Sequence, residues 1–349
     1  MTKRVKIICT IGPASSDSKI LSLLKEKKVD FFRINLSHTN ENDILDKINL
    51  LKPYNVPLII DTEGPQVRTG NTEEIKFKKG NLVKVYSNVI TCNSHQLFLT
   101  PSRVVNSFEA GDKISLAFGS AIFKVESISS LEKEGYVECS VLSEGIIGSK
   151  KAVHIESPNF LLSDFSEKDM KAIEIAKKNN IKHFTLSFME NADSVKRIRD
   201  FYPEAILYSK IESKKGLTNF DAIVDVSDGI LIDRGDLSSQ IPIQKIPIVQ
   251  KHLIEKCRKK GKEIFIATDT LQNMFSDLRP NAADANDMVN TLLDGATGIA
   301  LTKETAVGKY PLETVDMMNK IINQVETIKK FENIHHPDVL RDILENGEF

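Results

Sequence analysis

Four charged residues stand where apolar runs end. In "ILYSKIES" the run closes on Lys210 and Glu212, and in "ILIDRGDLSSQIP" it closes on Arg234 and Asp236. Runs of this kind read as buried strands, and unpaired charge beside them is costly. The four either pair with one another or face a shared ligand. Other runs repeat the pattern. Arg33, Asn35 and Ser37 alternate along "FFRINLS" and so share one face of a strand. Asp61 and Thr62 close "VPLIIDTEG", with Arg68 shortly after, Thr268 closes "EIFIATD", and Thr302 and Glu304 close "GIALTKET".

Each residue type has a chemistry. Two carboxylates on neighbouring strands, Glu212 and Asp236, suit Mg²⁺ or Mn²⁺, because magnesium takes one or two protein carboxylates and completes its shell with water and substrate oxygens. Lys210 beside them can neutralise an oxyanion or an enolate. Arg33 and Arg68 offer forked donors for carboxylate or phosphate. Asn35, Ser37, Asp61 and Thr62 together form an oxygen cluster suited to a monovalent cation. Two arginines, a lysine and a metal ask for a small substrate with several negative charges. One Lys–Glu pair at i, i+2 is more often surface decoration. The same polarity at six or more strand ends is hard to explain structurally.

The elements that must position these residues are legible as alternating patterns. Eight β-rich runs, 5–12, 31–37, 56–64, 183–188, 206–212, 229–236, 263–269 and 298–305, are mostly separated by stretches such as "EKDMKAIEIAKKN" with apolar residues at i, i+3, i+4 and i+7. The order predicts an α/β fold, a (β/α)₈ TIM barrel, with an open doubly wound sheet as the rival. In such barrels polar residues at the carboxyl ends of strands make the active site. Residues 70–149 break the rhythm with alternating β-formers and turn residues, and predict an inserted all-β lid domain after the third strand. The expected division is therefore 1–69 and 150–328 for the barrel, 70–149 for the insert and 329–349 for a short tail.

Composition narrows the function classes. The 349 residues are 41% hydrophobic and 27% charged with a net charge of −1, enough for a full core and without a basic stripe, so neither nucleic acid nor an anionic membrane is an expected partner. Four cysteines, Cys9, Cys92, Cys139 and Cys257, lie far apart with no CxxC pair, which argues against a disulfide frame or a cysteine zinc site. No stretch approaches a membrane span or a signal peptide, and a cytoplasmic location is the expectation. His38 follows the second strand, where lining the pocket competes equally with capping or packing, and His154, His183, His252 and the His335–His336 pair show no metal-ligand spacing.

The motifs "KIICTIGPAS", "RINLSH", "DTEGPQVRTG", "GSKKAV", "SKIE", "SDGILIDRGDL" and "LDGATGIALTKETAVGKYPLE" follow the order they have in the pyruvate kinase family, and the chain resembles that family over nearly all of residues 4–325. The resemblance implies a kinase that moves a phosphoryl group between phosphoenolpyruvate and ADP or another nucleoside diphosphate. It implies that Lys210 stabilises the enolate and phosphoryl transition state, with Glu212 and Asp236 on Mg²⁺ or Mn²⁺. Arg33, the Gly235 backbone, Asp236 and Thr268 then contact phosphoenolpyruvate. Arg68 and Lys151, with Asn35, face the nucleotide, and Asn35, Ser37, Asp61 and Thr62 bind K⁺. In such a reaction the protein does little covalent work and mainly positions and neutralises.

Departures from the family pattern cluster near the chemistry. Glu63 stands where the family has lysine, and Gln66 where it has an acid linked to the potassium requirement, which puts that requirement in question. The insert's usual Asp-Asp-Gly is Ala117-Phe118-Gly119, alanine is replaced by Asp233, Gly-x-Glu by Ser238-Ser239-Gln240, and Gln-Met by Asp269-Thr270. Glu63 for lysine removes two charges from a site expected to admit a nucleotide tail. The family's third, allosteric domain has no counterpart in the sequence, so sugar-phosphate activation is not expected, while a homodimer through the barrel helices stays open. Two other readings compete with the phosphotransferase: a metal-dependent lyase or decarboxylase working through an enolate of a 2-oxo acid, and a non-catalytic sensor of phosphoenolpyruvate.

Overall fold

Eight apolar runs that alternate with amphipathic segments can bury both faces of a parallel sheet in two ways, as an open sheet with helices on both sides or as a closed sheet wrapped in helices. The second is the one formed: the computed structural model shows a closed sheet. It describes residues 4–65, 67–117, 119–156 and 164–329. Gln66, Phe118 and the tail from residue 330, including the His335–His336 pair, lie outside the described residues. Contacts divide the chain into two compact units, Met1–Gly64 with Phe165–Phe349, and Pro65–Asp164.

In chain order the strands are β1 (Lys6–Thr10), β2 (Phe31–Asn35) and β3 (Leu58–Asp61), then β4 (Val67–Thr69), β5 (Ile75–Phe77), β6 (Leu82–Tyr86), β7 (Gln96–Thr100), β8 (Lys113–Leu116), β9 (Ala121–Ser127), β10 (Tyr136–Ser143), β11 (Gly145–Ile147) and β12 (Ala152–Glu156). They continue with β13 (His183–Leu186), β14 (Ile206–Ile211), β15 (Gly229–Asp233), β16 (Glu263–Ala267) and β17 (Gly298–Leu301). Strands β1–β3 and β13–β17 form the large closed barrel, and every pair in it is parallel. The closed sheet is the predicted architecture, and the open-sheet rival is excluded.

Alternation along each strand sorts its residues. Ile7, Cys9, Phe32, Ile34, Phe184, Leu207 and Ile232 pack outward in the layer between sheet and helices. Ile8, Phe31, Ile59, Tyr208, Leu231, Phe265, Ala267 and Ala300 form a separate inner cluster. Continuing the inner parity two residues further along the strands reaches Thr10, Arg33, Asp61, Lys210 and Asp233, all buried. The inner layer thus turns from apolar to polar at the carboxyl ends.

The second unit is all β apart from short helical turns such as Leu131–Glu134. A closed barrel in the order β10-β6-β7-β4-β12-β8-β9 encloses Val83, Val85, Leu97, Leu99, Phe123, Val125, Val137 and Cys139, and β5 pairs with β11. Strands β4 and β12 belong to this unit because they pair with each other and with β7 and β8, so the division falls at 65 and 164 rather than at 70 and 149. The pairing partners that decide this are distant in sequence.

The loop leaving β3 is fixed by one buried carboxylate. Ser166 caps the helix Glu167–Lys178 in a box with Asp169, and Asp169 also accepts the backbone N–H groups of Glu63 (2.8 Å) and Gly64 (3.1 Å). Asp169→Ala removes the cap contact and leaves two donors without acceptors, so it is expected to cost about 2–4 kcal/mol, read as a lower urea midpoint at unchanged slope.

Candidate active site

Lys210 is the hub. Its Nζ lies 2.8 Å from Glu212 Oε1, 3.6 Å from Asp61 Oδ1 and 3.8 Å from Asp233 Oδ2, and it donates to Ser187 Oγ at 3.0 Å. Burial alone would lower the lysine pKa. The carboxylates of Asp61, Glu212 and Asp233 overcome that and hold the ammonium well above its ordinary range. Glu212 is fully buried, and its Oε2 accepts the Phe188 N–H at 2.6 Å. Its Oε1, although close to the ammonium, has no partner at hydrogen-bonding geometry. Burial pushes Glu212 up to about 8; Lys210 opposes the shift, and Asp236 and Asp233 add to it.

Glu212, Asp233 and Asp236 bring one carboxylate oxygen each to within 4.8 Å of one another, a spacing that a single cation can bridge. Asp233 is held in place: its Oδ1 accepts from Thr268 Oγ1 (2.7 Å) and from the Gly235 N–H (3.2 Å), capping the short helix Arg234–Gln240. Glycine is needed at 235 because a Cβ there would meet Thr268 Cγ2 at 2.8 Å. Thr268 follows inward Ala267, so strict alternation would aim it outward; its φ of 68° re-aims it toward Asp233.

Arg33 is buried, donates to Thr10 Oγ1 at 2.8 Å and pairs with Asp61 Oδ2, while its Nε has no partner. Burial opposes its charge, and Asp61 more than compensates. Asp61 is likewise penalised by burial but ends below its ordinary range because Arg33, Lys210 and the Thr185 hydroxyl (2.5 Å) favour the carboxylate. With every carboxylate ionised, Arg33 and Lys210 against Asp61, Glu212, Asp233 and Asp236 give a formal charge of 2 − 4 = −2, and a cation at Glu212 has to displace the proton that burial favours there.

Sequence reasoning brought together residues the structure separates. Arg234 turns away from the interior because the helix begins there. Its Nε and Nη2 donate to the carbonyls of Thr268 (2.9 Å) and Asp269 (2.8 Å), and its Nη1 pairs with Asp287 at 2.6 Å. It braces the strained loop. Thr302 and Glu304 bond to each other. Glu63 is neutralised by Lys168 at 2.8 Å, so its charge reversal is compensated locally, and Asp269 faces Lys303 at 3.7 Å. Of the three extra acids, only Asp233 joins the cluster.

Asn35 Oδ1 accepts from Ser37 N–H (2.9 Å), Thr62 Oγ1 from Ser187 N–H (2.8 Å) and the Thr62 carbonyl from Ser187 Oγ (2.5 Å). Arg68 and Lys151 belong to the second unit, on and beside the paired strands β4 and β12, with Arg68 opposite Ala152. Thr10, Thr185, Ser187 and Asp287 were not found by sequence reasoning. The i, i+2 hydroxyls of "HFTLSF" were the signal for Thr185 and Ser187.

Fold and site define a (β/α)₈-barrel protein with a lysine and carboxylate cluster at the carboxyl ends of its strands. The chain belongs to the pyruvate kinase family: the family model "Pyruvate kinase, barrel domain" matches residues 2–315. Pyruvate kinases of Staphylococcus aureus strains MRSA252 and USA300 are each 31% identical over 344 residues, which covers 95% of this chain. The chain spans 58% of the length of these relatives. A crystal structure of a pyruvate kinase from Cryptosporidium parvum superposes with a TM-score of 0.79 at 31% identity, covering 93% of this chain and 70% of that one. Among the described residues no helix is long and apolar enough to cross a membrane.

Proposed function

We propose that the barrel transfers a phosphoryl group from phosphoenolpyruvate to a nucleoside diphosphate, giving pyruvate and the triphosphate. The observation that carries this reading is the Lys210 ammonium held among Glu212, Asp61 and Asp233, a fixed positive charge facing a set of cation-seeking oxygens. The donor set fits a divalent cation, since three carboxylate oxygens converge and Glu212 Oε1 is a buried acceptor with no hydrogen bond. Glu212 and Asp236 would hold Mg²⁺ or Mn²⁺, which supplies charge neutralisation and Lewis acidity to the substrate oxygens.

The chain's own residues do the rest. Lys210, protonated throughout the neutral range, offsets the charge that develops on the enolate oxygen as the phosphorus–oxygen bond breaks. The partnerless Arg33 Nε offers a donor to an anionic oxygen. Thr268 and the Gly235 N–H orient the substrate, in competition with Asp233, which holds both before a ligand arrives. Arg68 and Lys151 are the choices for the nucleotide phosphates. The potassium set fits poorly, because the oxygens of Asn35, Asp61 and Thr62 already accept protein hydrogen bonds, and no step is derived through potassium.

The engagement of Thr268 and Gly235 by Asp233 favours one second reading, a nucleotide-independent enolate enzyme with a weaker grip on its anion. One assay separates the two: pyruvate formation from phosphoenolpyruvate with Mg²⁺, with and without K⁺, using ADP, GDP or no nucleotide. Diphosphate-dependent pyruvate formation is the expected result. Silence with every nucleotide, together with exchange of the pyruvate methyl protons in deuterated water, would replace the first reading by the second.

A further inference from the structure

We propose that Asp233 is a third carboxylate ligand for the divalent cation, so that this chain takes up the metal ahead of its anionic substrate. The inference rests on the proposed role of Glu212 and Asp236 and adds a residue to it. Three observations carry it. The Asp233 side chain brings an oxygen within 4.8 Å of oxygens from both other carboxylates. Its Oδ1 is anchored by Thr268 Oγ1 and the Gly235 N–H, which fixes the carboxylate and leaves Oδ2 as the oxygen turned toward Lys210. Beside it, the fully buried Glu212 has an Oε1 that lies 2.8 Å from the Lys210 ammonium without hydrogen-bond geometry, so its acceptor capacity stays open to a cation shared with Asp233.

Charge decides the consequence. In the metal-bound form, with all four carboxylates ionised, the six residues carry a formal 2 − 4 = −2, and one divalent cation offsets it. Without Asp233 the others carry 2 − 3 = −1, and the same cation leaves them at +1, which attracts an anion. Asp233 therefore strengthens metal binding and weakens anion binding at one site, while it also occupies two donors an anion would use. A residue with only a capping role would move both affinities together or neither.

The test is Mn²⁺ binding to the full chain, followed by electron paramagnetic resonance, in the wild type, Asp233→Asn, Asp233→Ala and Glu212→Gln. Asparagine keeps an acceptor for Gly235 and Thr268 and caps a helix as well as aspartate, so the fold is retained. Asp233→Asn is expected to weaken Mn²⁺ by about 10- to 100-fold. It is also expected to tighten phosphoenolpyruvate binding to the Mn²⁺-saturated protein severalfold, read by calorimetry. Unchanged Mn²⁺ affinity in both Asp233 variants, with loss in Glu212→Gln, overturns the inference and leaves the two-carboxylate site standing. Parallel loss of metal and phosphoenolpyruvate with a lower melting temperature overturns it too, since that is the signature of a structural cap. No Mn²⁺ binding by the wild type and no effect of Glu212→Gln removes the underlying reading itself.

Discussion

Lys210→Met is expected to lower diphosphate-dependent pyruvate formation by about 10²- to 10³-fold or more, the loss measured when one preorganised charge or donor is taken from a developing oxyanion. Methionine keeps the apolar stem along the inner layer and deletes only the ammonium. The energetic result has two parts of opposite sign. Without metal, Asp61, Glu212 and Asp233 lose the cation that lies 3.6, 2.8 and 3.8 Å away, and a buried ion network broken on one side loses about 3–5 kcal/mol. The formal charge of the ionised cluster becomes more negative by one, so Mn²⁺, once it has displaced the proton from Glu212, should bind the variant more tightly than the wild type. Saturating metal should then restore much of the melting temperature, since a ligand at a hundred times its Kd contributes about 2.7 kcal/mol. A variant that is folded, binds Mn²⁺ well and makes no pyruvate assigns Lys210 to the chemistry. A variant with undiminished turnover removes Lys210 from it.

Much of this site was legible because β-strand parity is simple. Residues two apart on a strand share a face, so Lys210, Asp61 and Asp233 follow from the apolar Tyr208, Ile59 and Leu231 before them. Closure of the sheet then gathers ends that are far apart in sequence. Parity stops where the strand stops. At Arg234 the backbone enters a helix and the side chain leaves the interior, so a residue that reads as ligand-facing becomes the brace of the Thr268–Asp269 loop. Thr268 errs the other way: alternation sends it out, and a left-handed backbone brings it back. Glu63 looked uncompensated because its partner, Lys168, lies 105 residues on and only the fold makes them neighbours. Thr185 and Ser187 were overlooked because hydroxyls in an apolar run carry no charge signal. Burial gives them their roles, as donor to Asp61 and acceptor for Lys210.

Arg33→Leu is expected to be as damaging to stability as the loss of Lys210 in the absence of metal. The Arg33–Asp61 pair is almost completely buried, with side-chain exposures of 5% and 2%, and removing the arginine strands a carboxylate that burial already penalises. A loss of about 3–5 kcal/mol follows, equivalent to about 6–20 °C in melting temperature at 2–4 °C per kcal/mol for a unit of this size. The pH dependence fixes the cause. In the wild type Asp61 titrates below its ordinary range, so its stabilising contribution is present above that range and is lost as pH falls through the lower folded value. In Arg33→Leu burial meets less opposition and the Asp61 pKa rises. The variant's deficit should then be largest above the raised Asp61 value and narrow as pH falls through it and Asp61 takes up a proton. The double variant Arg33→Leu/Asp61→Leu removes the stranded charge and should recover stability relative to the single one. It should not recover phosphoenolpyruvate affinity, because the donor at Arg33 is gone in both. Recovery of affinity with stability would mean that Arg33 serves the fold alone, and that the anion is held by Lys210 and the metal without it.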